Sequence, residues 1–228
     1  MRKILTLWIC ICFVGAFAFS GCGVDDESGM NSETTSASWS DSGNGEEETD
    51  SGYSEEDIEV GNGIEYVLSH GGDHYSVVGV RDFTETELVV PSTYNGLPVR
   101  FIRESAFYRC LGVTSIEIGD NVQYIESYAF GYCENLIEVE IGNDVTLLGN
   151  YVFLGCEALM EVTIPDSVTS IGYGVFDRCD NLMSVVFENA VGWSADEKSF
   201  SESELSDPEA AAVYLTDTYR RFPWKRIS

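Results

Sequence analysis

The stretch Val122-Gln123-Tyr124-Ile125-Glu126-Ser127-Tyr128-Ala129-Phe130-Gly131-Tyr132-Cys133, followed by Leu136, Val139 and Ile141, decides the fold of this chain. A shift of 23 residues aligns it with the sequence before and after it. The aligned columns hold residues of the same kind, namely Phe107, Phe130, Phe153 and Phe176, then Cys110, Cys133, Cys156 and Cys179, then Ile102, Ile125, Leu148 and Ile171. A period in the twenties is typical of a solenoid, in which each unit buries its apolar side by stacking on its neighbours.

Each unit ends in a short stretch with the alternation of a half-buried strand. In Ile116-Glu117-Ile118 the two Ile side chains point one way and the Glu side chain points the other way. The equivalent strands of four units, residues 99–190, are predicted to stack as a short parallel β-sheet with rungs about 4.8 Å apart. We expect the Ala-Phe-x-x-Cys stretch to form a compact turn or a short helical turn that places Phe in the core.

The order of residues in each unit resembles the BspA-type leucine-rich repeat. That pattern has Val, Ile, Ala-Phe, Cys and Leu in succession, then Ile-x-Ile followed by Pro or Gly. Ile164-Pro165 matches the Pro form and Ile118-Gly119 the Gly form, whereas Val152 and Val175 replace the Ala. The resemblance covers about residues 63–228. It implies a leucine-rich repeat solenoid in a bacterial surface protein, of a kind linked to adhesion and binding and without shared catalytic residues.

The first end of the stacked core needs a cover, because an open end would expose apolar side chains. Residues 61–98 are predicted to form a β-hairpin cap and the entry to a first, longer repeat. The hairpin strands are Ile64–Leu68 and His74–Val80, and the turn Asn95-Gly96-Leu97-Pro98 leads into the repeats.

The second end is predicted to be covered by a helical cap at residues 191–228. A helix over about residues 208–219 is expected, with the side chain of Ser206 as its N-terminal cap. Trp224 follows this helix, and we expect its side chain to pack under the last coil.

The first residues of the chain have the pattern of a secretory signal. Two basic residues precede the apolar run Ile4–Phe19, which is shorter than the about 20 residues that a membrane-spanning helix needs. The run ends in Phe19-Ser20-Gly21-Cys22, which resembles a bacterial lipobox. We therefore predict a lipoprotein signal peptide at 1–21 and a lipid on Cys22, anchoring the protein at the extracellular face of the bacterial cell membrane. An uncleaved anchor and a plain secretory signal are the alternatives.

The segment after the signal, residues 22–60, is predicted to be a disordered acidic linker. It is rich in Ser, Gly, Glu and Asp, contains no Lys or Arg, and offers few apolar residues to bury. The whole chain has a net charge of -27, which repels phosphate backbones and anionic lipid surfaces. We therefore expect no nucleic-acid partner, and contact with the membrane through the lipid anchor only.

Candidate reactive residues are few. The four repeat cysteines are too far apart in sequence for a zinc motif, and side chains in a ladder point the same way, which disfavours bridging. We interpret them and the four Phe residues as a structural ladder, with a disulfide and a metal site as the alternatives for the thiols. His70 and His74 are expected in a solvent-exposed turn, with a metal or catalytic role as the alternative. We predict no catalytic residue, no metal site and no cofactor, and hence no enzyme.

The outward side of the predicted sheet is the best candidate for a binding surface. If Ile116 and Ile118 point inward, the outward columns are rich in Glu. The candidate partner-binding residues are Ser115, Glu117, Glu138, Glu140, Glu161 and Thr163. Because like charges on neighbouring rungs repel, this face would accept a basic partner segment or a divalent ion. The alternative is a solvated face that keeps the sheet soluble.

These features together predict a non-enzymatic cell-surface lipoprotein whose solenoid mediates protein binding or adhesion. Its partner is expected to be a host or cell-envelope protein with a basic surface. The first alternative is a structural, self-assembling module of the cell envelope. A remote alternative is a hydrolase with an unrecognised site.

Overall fold

The computed structural model of the chain describes residues 53–227, and the strands below are numbered in chain order. Within these residues the larger sheet has 11 strands. Their spatial order is β1 (Ile58–Gly61), β2 (Ile64–Leu68), β3 (Tyr75–Val80), β6 (Leu97–Ile102), β8 (Tyr124–Ile125), β10 (Leu147–Leu148), β12 (Ser170–Ile171), β16 (Trp224–Arg226), β14 (Trp193–Ala195) and β15 (Lys198–Ser199), with β5 (Thr93–Tyr94) paired to β6.

A second series of strands supplies one strand to each turn of the coil. It consists of β4 (Glu87–Val90), β7 (Ser115–Ile118), β9 (Glu138–Glu140), β11 (Glu161–Ile164) and β13 (Ser184–Phe187). Paired strands of successive repeats are parallel, with Leu147 opposite Ser170 in the larger sheet and Glu161 opposite Ser184 in the second series. Both offsets equal the 23-residue sequence period, so the predicted solenoid is confirmed, with about five turns.

The interior consists of stacked columns, with one residue from each turn. The four Phe rings stack in sequence, with centroids 5.2, 5.5 and 5.6 Å apart and ring planes within 7° of parallel. All four rings have 0% exposure. Burying a side chain of this size stabilises a fold by about 1.5–3 kcal/mol relative to leaving it in water. The predicted alternation also holds in the strands, since Ile116 and Ile118 are buried and Glu117 between them is exposed.

The Ala-Phe-x-x-Cys stretch forms a compact turn, which is the first of the two expected forms. Ser105 and Arg109 both have φ of 58°, and the equivalent positions of the later turns also have positive φ. Such left-handed residues interrupt a right-handed helix. The backbone N–H of Phe107 donates to the Ala129 carbonyl of the next turn at 2.8 Å. This side of the coil is therefore joined by a hydrogen-bond ladder of its own.

The N-terminal cap contains the predicted hairpin and begins before it. Strands β2 and β3 are antiparallel, as expected, and β3 then runs parallel to β6, where the repeats begin. Strand β1 pairs with β2, and a 3-10 turn at Glu55–Asp57 precedes it. The cap therefore includes residues 55–60, which the sequence pattern placed at the end of the disordered linker. Residues 58–60 pair with β2, and this pairing orders them although their composition is typical of a disordered segment.

The C-terminal cap combines short helices with strands. Helix α2 (Pro208–Val213) continues without a break into a π-helical turn at Tyr214–Thr218, so the helix expected over 208–219 is confirmed, with π-type hydrogen bonding in its second half. A further short helix, α1 (Glu202–Leu205), precedes it. Strand β16 returns antiparallel to β12 of the last coil. Trp224 lies in this strand with 1% exposure, which confirms that its side chain closes the core.

The N-terminal cap of α2 differs from the prediction. Asp207, not Ser206, is the cap, and its side chain accepts a hydrogen bond from the backbone N–H of Glu209. The residue before a proline favours an extended backbone, and Asp207 precedes Pro208, so it takes the extended conformation that an N-cap requires. Ser206 instead ends α1, where its hydroxyl donates to the Glu202 carbonyl at 2.7 Å.

No helix among residues 53–227 has the length and apolar character needed to cross a membrane.

Candidate binding face

The six predicted partner-binding residues all lie on the outward side of strands β7, β9 and β11. Ser115 stands opposite Glu138, and Glu117 stands opposite Glu140. Glu161 and Thr163 are exposed on β11, on either side of the buried Val162. The strand alternation that buries the core residues is therefore what presents these side chains to solvent. We call this surface the acidic face.

The acidic face is concave and extends one turn further than predicted. A shallow concavity of ≈ 420 Å³ is lined by all six residues and also by Glu87 and Val89 of β4. Glu87 stands opposite Ser115, an offset of 28 residues instead of 23. The longer first repeat hid these two residues from a search at constant period. The sequence signal for them is the strand-like stretch Glu87-Leu88-Val89-Val90 just before Pro91, in which Glu87 and Val89 point to the same side.

The carboxylates of the acidic face have no cationic neighbour in the described part of the chain. The sequence contains no Lys or Arg from Leu111 to Asp177. The repeat carboxylates that do form ion pairs lie elsewhere, with Arg103 on Glu126 at 3.0 Å and Arg226 on Asp166 at 2.9 Å. The uncompensated charges give this side of the solenoid a negative potential, and a concave surface concentrates such a potential.

The second series of strands is interrupted under the acidic face. β4, β7 and β9 form one sheet, β11 and β13 form another, and among residues 53–227 no strand pairing joins β9 to β11. The interruption lies where Glu138 and Glu140 of one turn meet Glu161 of the next. Like charges also face each other where the strands do pair, as at Glu117 and Glu140, and such pairs are mildly destabilising.

The four repeat cysteines form a buried column beside the Phe rings. The thiol of Cys156 donates to the Phe130 carbonyl of the preceding turn at 3.3 Å, and that of Cys179 donates to the Phe153 carbonyl at 3.1 Å. Burial raises the pKa of Cys179 to about 12 and raises the pKa of Cys156 well above its ordinary value. Protonated thiols that bond to backbone carbonyls act as small core residues and are poor nucleophiles.

The chain was compared with known families, with curated proteins and with solved structures. The sequence profile of the BspA type leucine rich repeat region (6 copies) matches residues 100–212 of this chain. The chain belongs to the BspA-type leucine-rich repeat family. No curated protein matches this leucine-rich repeat chain.

Solved structures of bacterial leucine-rich repeat proteins are similar to this one. The T. pallidum leucine-rich repeat protein has a TM-score of 0.53 and 27% identity, over 54% of this chain and 57% of that chain. A leucine-rich repeat protein from Bacteroides capillosus has a TM-score of 0.51 and 23% identity, over 58% of this chain and 99% of that one. The match thus covers little more than half of the T. pallidum protein, and the Bacteroides likeness shows the fold alone.

The two histidines of this leucine-rich repeat protein differ in environment. His70 is exposed, as expected, but His74 is only 8% exposed, so the expectation of an exposed turn was wrong for that residue. Its ring packs 5.2 Å from the ring of Phe101, and its Nδ1 lies 2.8 Å from Asp73 Oδ1. The pairing of β3 with β6 brings the His74 ring against Phe101. No cluster of three or more His, Cys, Asp or Glu among residues 53–227 could hold a metal ion.

The predicted signal peptide at 1–21, the lipid site Cys22 and linker residues 23–52 lie outside the described residues.

Proposed function

We propose that this chain is a non-enzymatic bacterial surface lipoprotein whose acidic face binds a protein through a basic segment. The BspA-type repeat family supports a protein-binding, surface-associated role in general. The finer proposal rests on one observation, which is that the carboxylates of the acidic face form no ion pair within residues 53–227. Side chains that neither pack nor pair, yet recur on successive turns, are better explained by a partner than by the fold.

Recognition would begin with charge. Glu117, Glu138, Glu140 and Glu161 attract a cationic segment before contact, which raises the association rate and makes binding sensitive to salt. The strands below them hold the carboxylates at fixed spacing, so the partner bears the cost of ordering its own side chains. The face spans few turns, and we therefore expect an interface at the small, transient end of the usual range.

The proposed lipid on Cys22 would hold the solenoid near the membrane, and residues 23–54 would space it. The sequence Phe19-Ser20-Gly21-Cys22 supports the anchor. A flexible linker of this length has a root-mean-square reach of about 30 Å, and self-repulsion between its carboxylates would extend it. Conversion of Cys22 to Ser tests the anchor, because the unlipidated chain should leave the membrane fraction and appear in the soluble one.

The binding proposal is tested by capture from host extracellular fractions and cell-envelope fractions. The full chain is compared with a charge-reversed variant, Glu138→Lys with Glu161→Lys. The matched control is Glu197→Lys with Glu209→Lys, which changes the net charge equally at exposed positions away from the acidic face. A protein captured by the native chain and by the control, and lost from the charge-reversed variant, supports the proposal. Equal capture by all three would refute it.

A further inference from the structure

An exposed apolar stripe runs beside the acidic face. Ile137, Met160 and Met183 occupy the same position in successive turns and are 49%, 46% and 64% exposed. The backbone N–H of Met183 donates to the Met160 carbonyl at 3.0 Å, which places these two members of the column on adjacent rungs. We call these three residues the apolar stripe.

The fold does not need these side chains. The residue before each of them is a leucine that already fills the core, namely Leu136, Leu159 and Leu182, with 0%, 0% and 8% exposure. A single exposed apolar residue is ordinary on a protein surface, but three in one column form a contiguous patch. Methionine also has a flexible, polarizable side chain that adapts to different partner surfaces.

Acidic residues precede and follow the apolar stripe residues in the sequence of the repeats. Each stripe residue is followed at once by the first outward residue of its strand, which is Glu138, Glu161 or Ser184. Each is preceded three positions earlier by an exposed acid, which is Glu134, Glu157 or Asp180. None of these five acids belongs to an ion pair in the part of the chain that the structure describes.

From this arrangement we infer that the partner segment is a basic amphipathic helix, with its apolar row on the stripe and its cationic residues against the flanking carboxylates. The inference rests on the proposed function and specifies the partner. A row of apolar residues flanked by Lys or Arg is the chemical complement of an apolar stripe flanked by Glu and Asp. An anionic membrane surface is disfavoured because the same carboxylates would repel it.

The spacing of the turns selects a helix over an extended peptide. Rungs of a stacked sheet lie about 4.8 Å apart, and a helix lying along the solenoid axis repeats its apolar face about every 5.4 Å. An extended peptide presents residues on one face only about every 6.7 Å. Over the two intervals that separate the three stripe residues, the mismatch is about 1 Å for a helix and about 4 Å for a strand.

The experiment uses two 18-residue peptides of the same Leu and Lys composition. In one, the Leu residues form a single stripe on a helix; in the other, Leu and Lys alternate as in a strand. The full chain is titrated with each peptide, together with three variants. The first is Met160→Gln with Met183→Gln, and its control is Val191→Gln with Val213→Gln, at exposed apolar positions away from the stripe. The third is the charge-reversed variant Glu138→Lys with Glu161→Lys.

The inference predicts that the native chain binds the helical peptide at least tenfold more tightly than the alternating one. The Met160→Gln, Met183→Gln variant should lose about tenfold in affinity for the helical peptide, corresponding to the loss of two buried apolar contacts, while its control changes less than twofold.

Equal affinity for the two peptides, or no effect of the methionine substitutions, overturns the inference. If the charge-reversed variant alone loses affinity, the acidic face stands as the binding site and the stripe does not. If the methionine substitutions instead abolish a dimer seen by sedimentation, the stripe binds a second copy and the inference is wrong.

Discussion

The interior columns and the acidic face are built by the same 23-residue repeat, yet repetition has opposite effects on them. In the interior each Phe ring stacks on a copy of itself in the next turn, and thiols such as Cys156 bond to the backbone of the turn before. On the acidic face, repetition places Glu117 beside Glu140, and neither forms an ion pair among the residues that the structure describes. Repeating an apolar residue therefore stabilises a solenoid, whereas repeating a charged one costs stability.

This contrast separates residues kept for the fold from residues that serve another purpose. A repeated residue that packs or bonds to its own copies is explained by the stack. A repeated residue that repels its copies is not. The acidic face belongs to the second kind, since Glu117 stands opposite Glu140.

The largest effect is expected from the middle of the Phe column. Phe130→Ala removes a ring that is stacked on both sides and fully buried. The lost burial and the cavity together should lower the free energy of unfolding by about 3–5 kcal/mol, measured by urea denaturation. Val186→Ala, at a 41% exposed outward position, is the control and should change stability by less than about 0.5 kcal/mol. Similar losses from the two variants would remove the distinction between core and surface.

A smaller effect is expected from the thiol column at alkaline pH. The pKa of Cys179 rises from its ordinary 9.0 to about 12 in the folded chain because burial disfavours the thiolate. The folded thiol thus keeps its proton when the unfolded thiol has lost it. The stability from this group is complete below pH 9 and declines towards pH 12, by about 1.4 kcal/mol per pH unit.

The measurement for this prediction is urea denaturation at pH 8 and pH 10. Cys156 and Tyr66, whose pKa values burial also raises, contribute declines of the same sign. Cys179→Ala isolates the contribution of Cys179, since the stability of this variant should fall less between pH 8 and pH 10 than that of the native chain. An identical fall in both proteins would show that the Cys179 thiol titrates normally in the fold.

The smallest effect has the opposite sign and concerns the acidic face. Glu138→Gln with Glu161→Gln removes repulsion on adjacent turns and keeps the side-chain shape. The variant should be more stable than the native chain by about 0.2–1 kcal/mol, and the gain should shrink as salt is added. Thermal unfolding at low and high ionic strength measures both. A loss of stability would mean that these carboxylates support the fold after all.

The sequence allowed the repeat, the core columns and the outward Glu columns to be predicted because each follows from strict periodicity. Where the period fails, prediction failed too. Glu87 and Val89 lie in a repeat offset by 28 residues and were missed. The burial of His74 depends on its contact with Phe101, a residue far along the chain, which local sequence does not reveal. The cap of α2 is Asp207 and not Ser206, because Pro208 favours an extended backbone at the residue before it.

The most direct test of the account measures stability and binding in the same protein. The charge-reversed variant, Glu138→Lys with Glu161→Lys, is unfolded in urea and also titrated with the partner captured by the native chain. We predict a free energy of unfolding equal to or above that of the native chain, together with loss of most of the binding. A variant that binds normally, or one that loses binding only because it has lost its stability, would contradict the separation between a structural interior and a recognition surface.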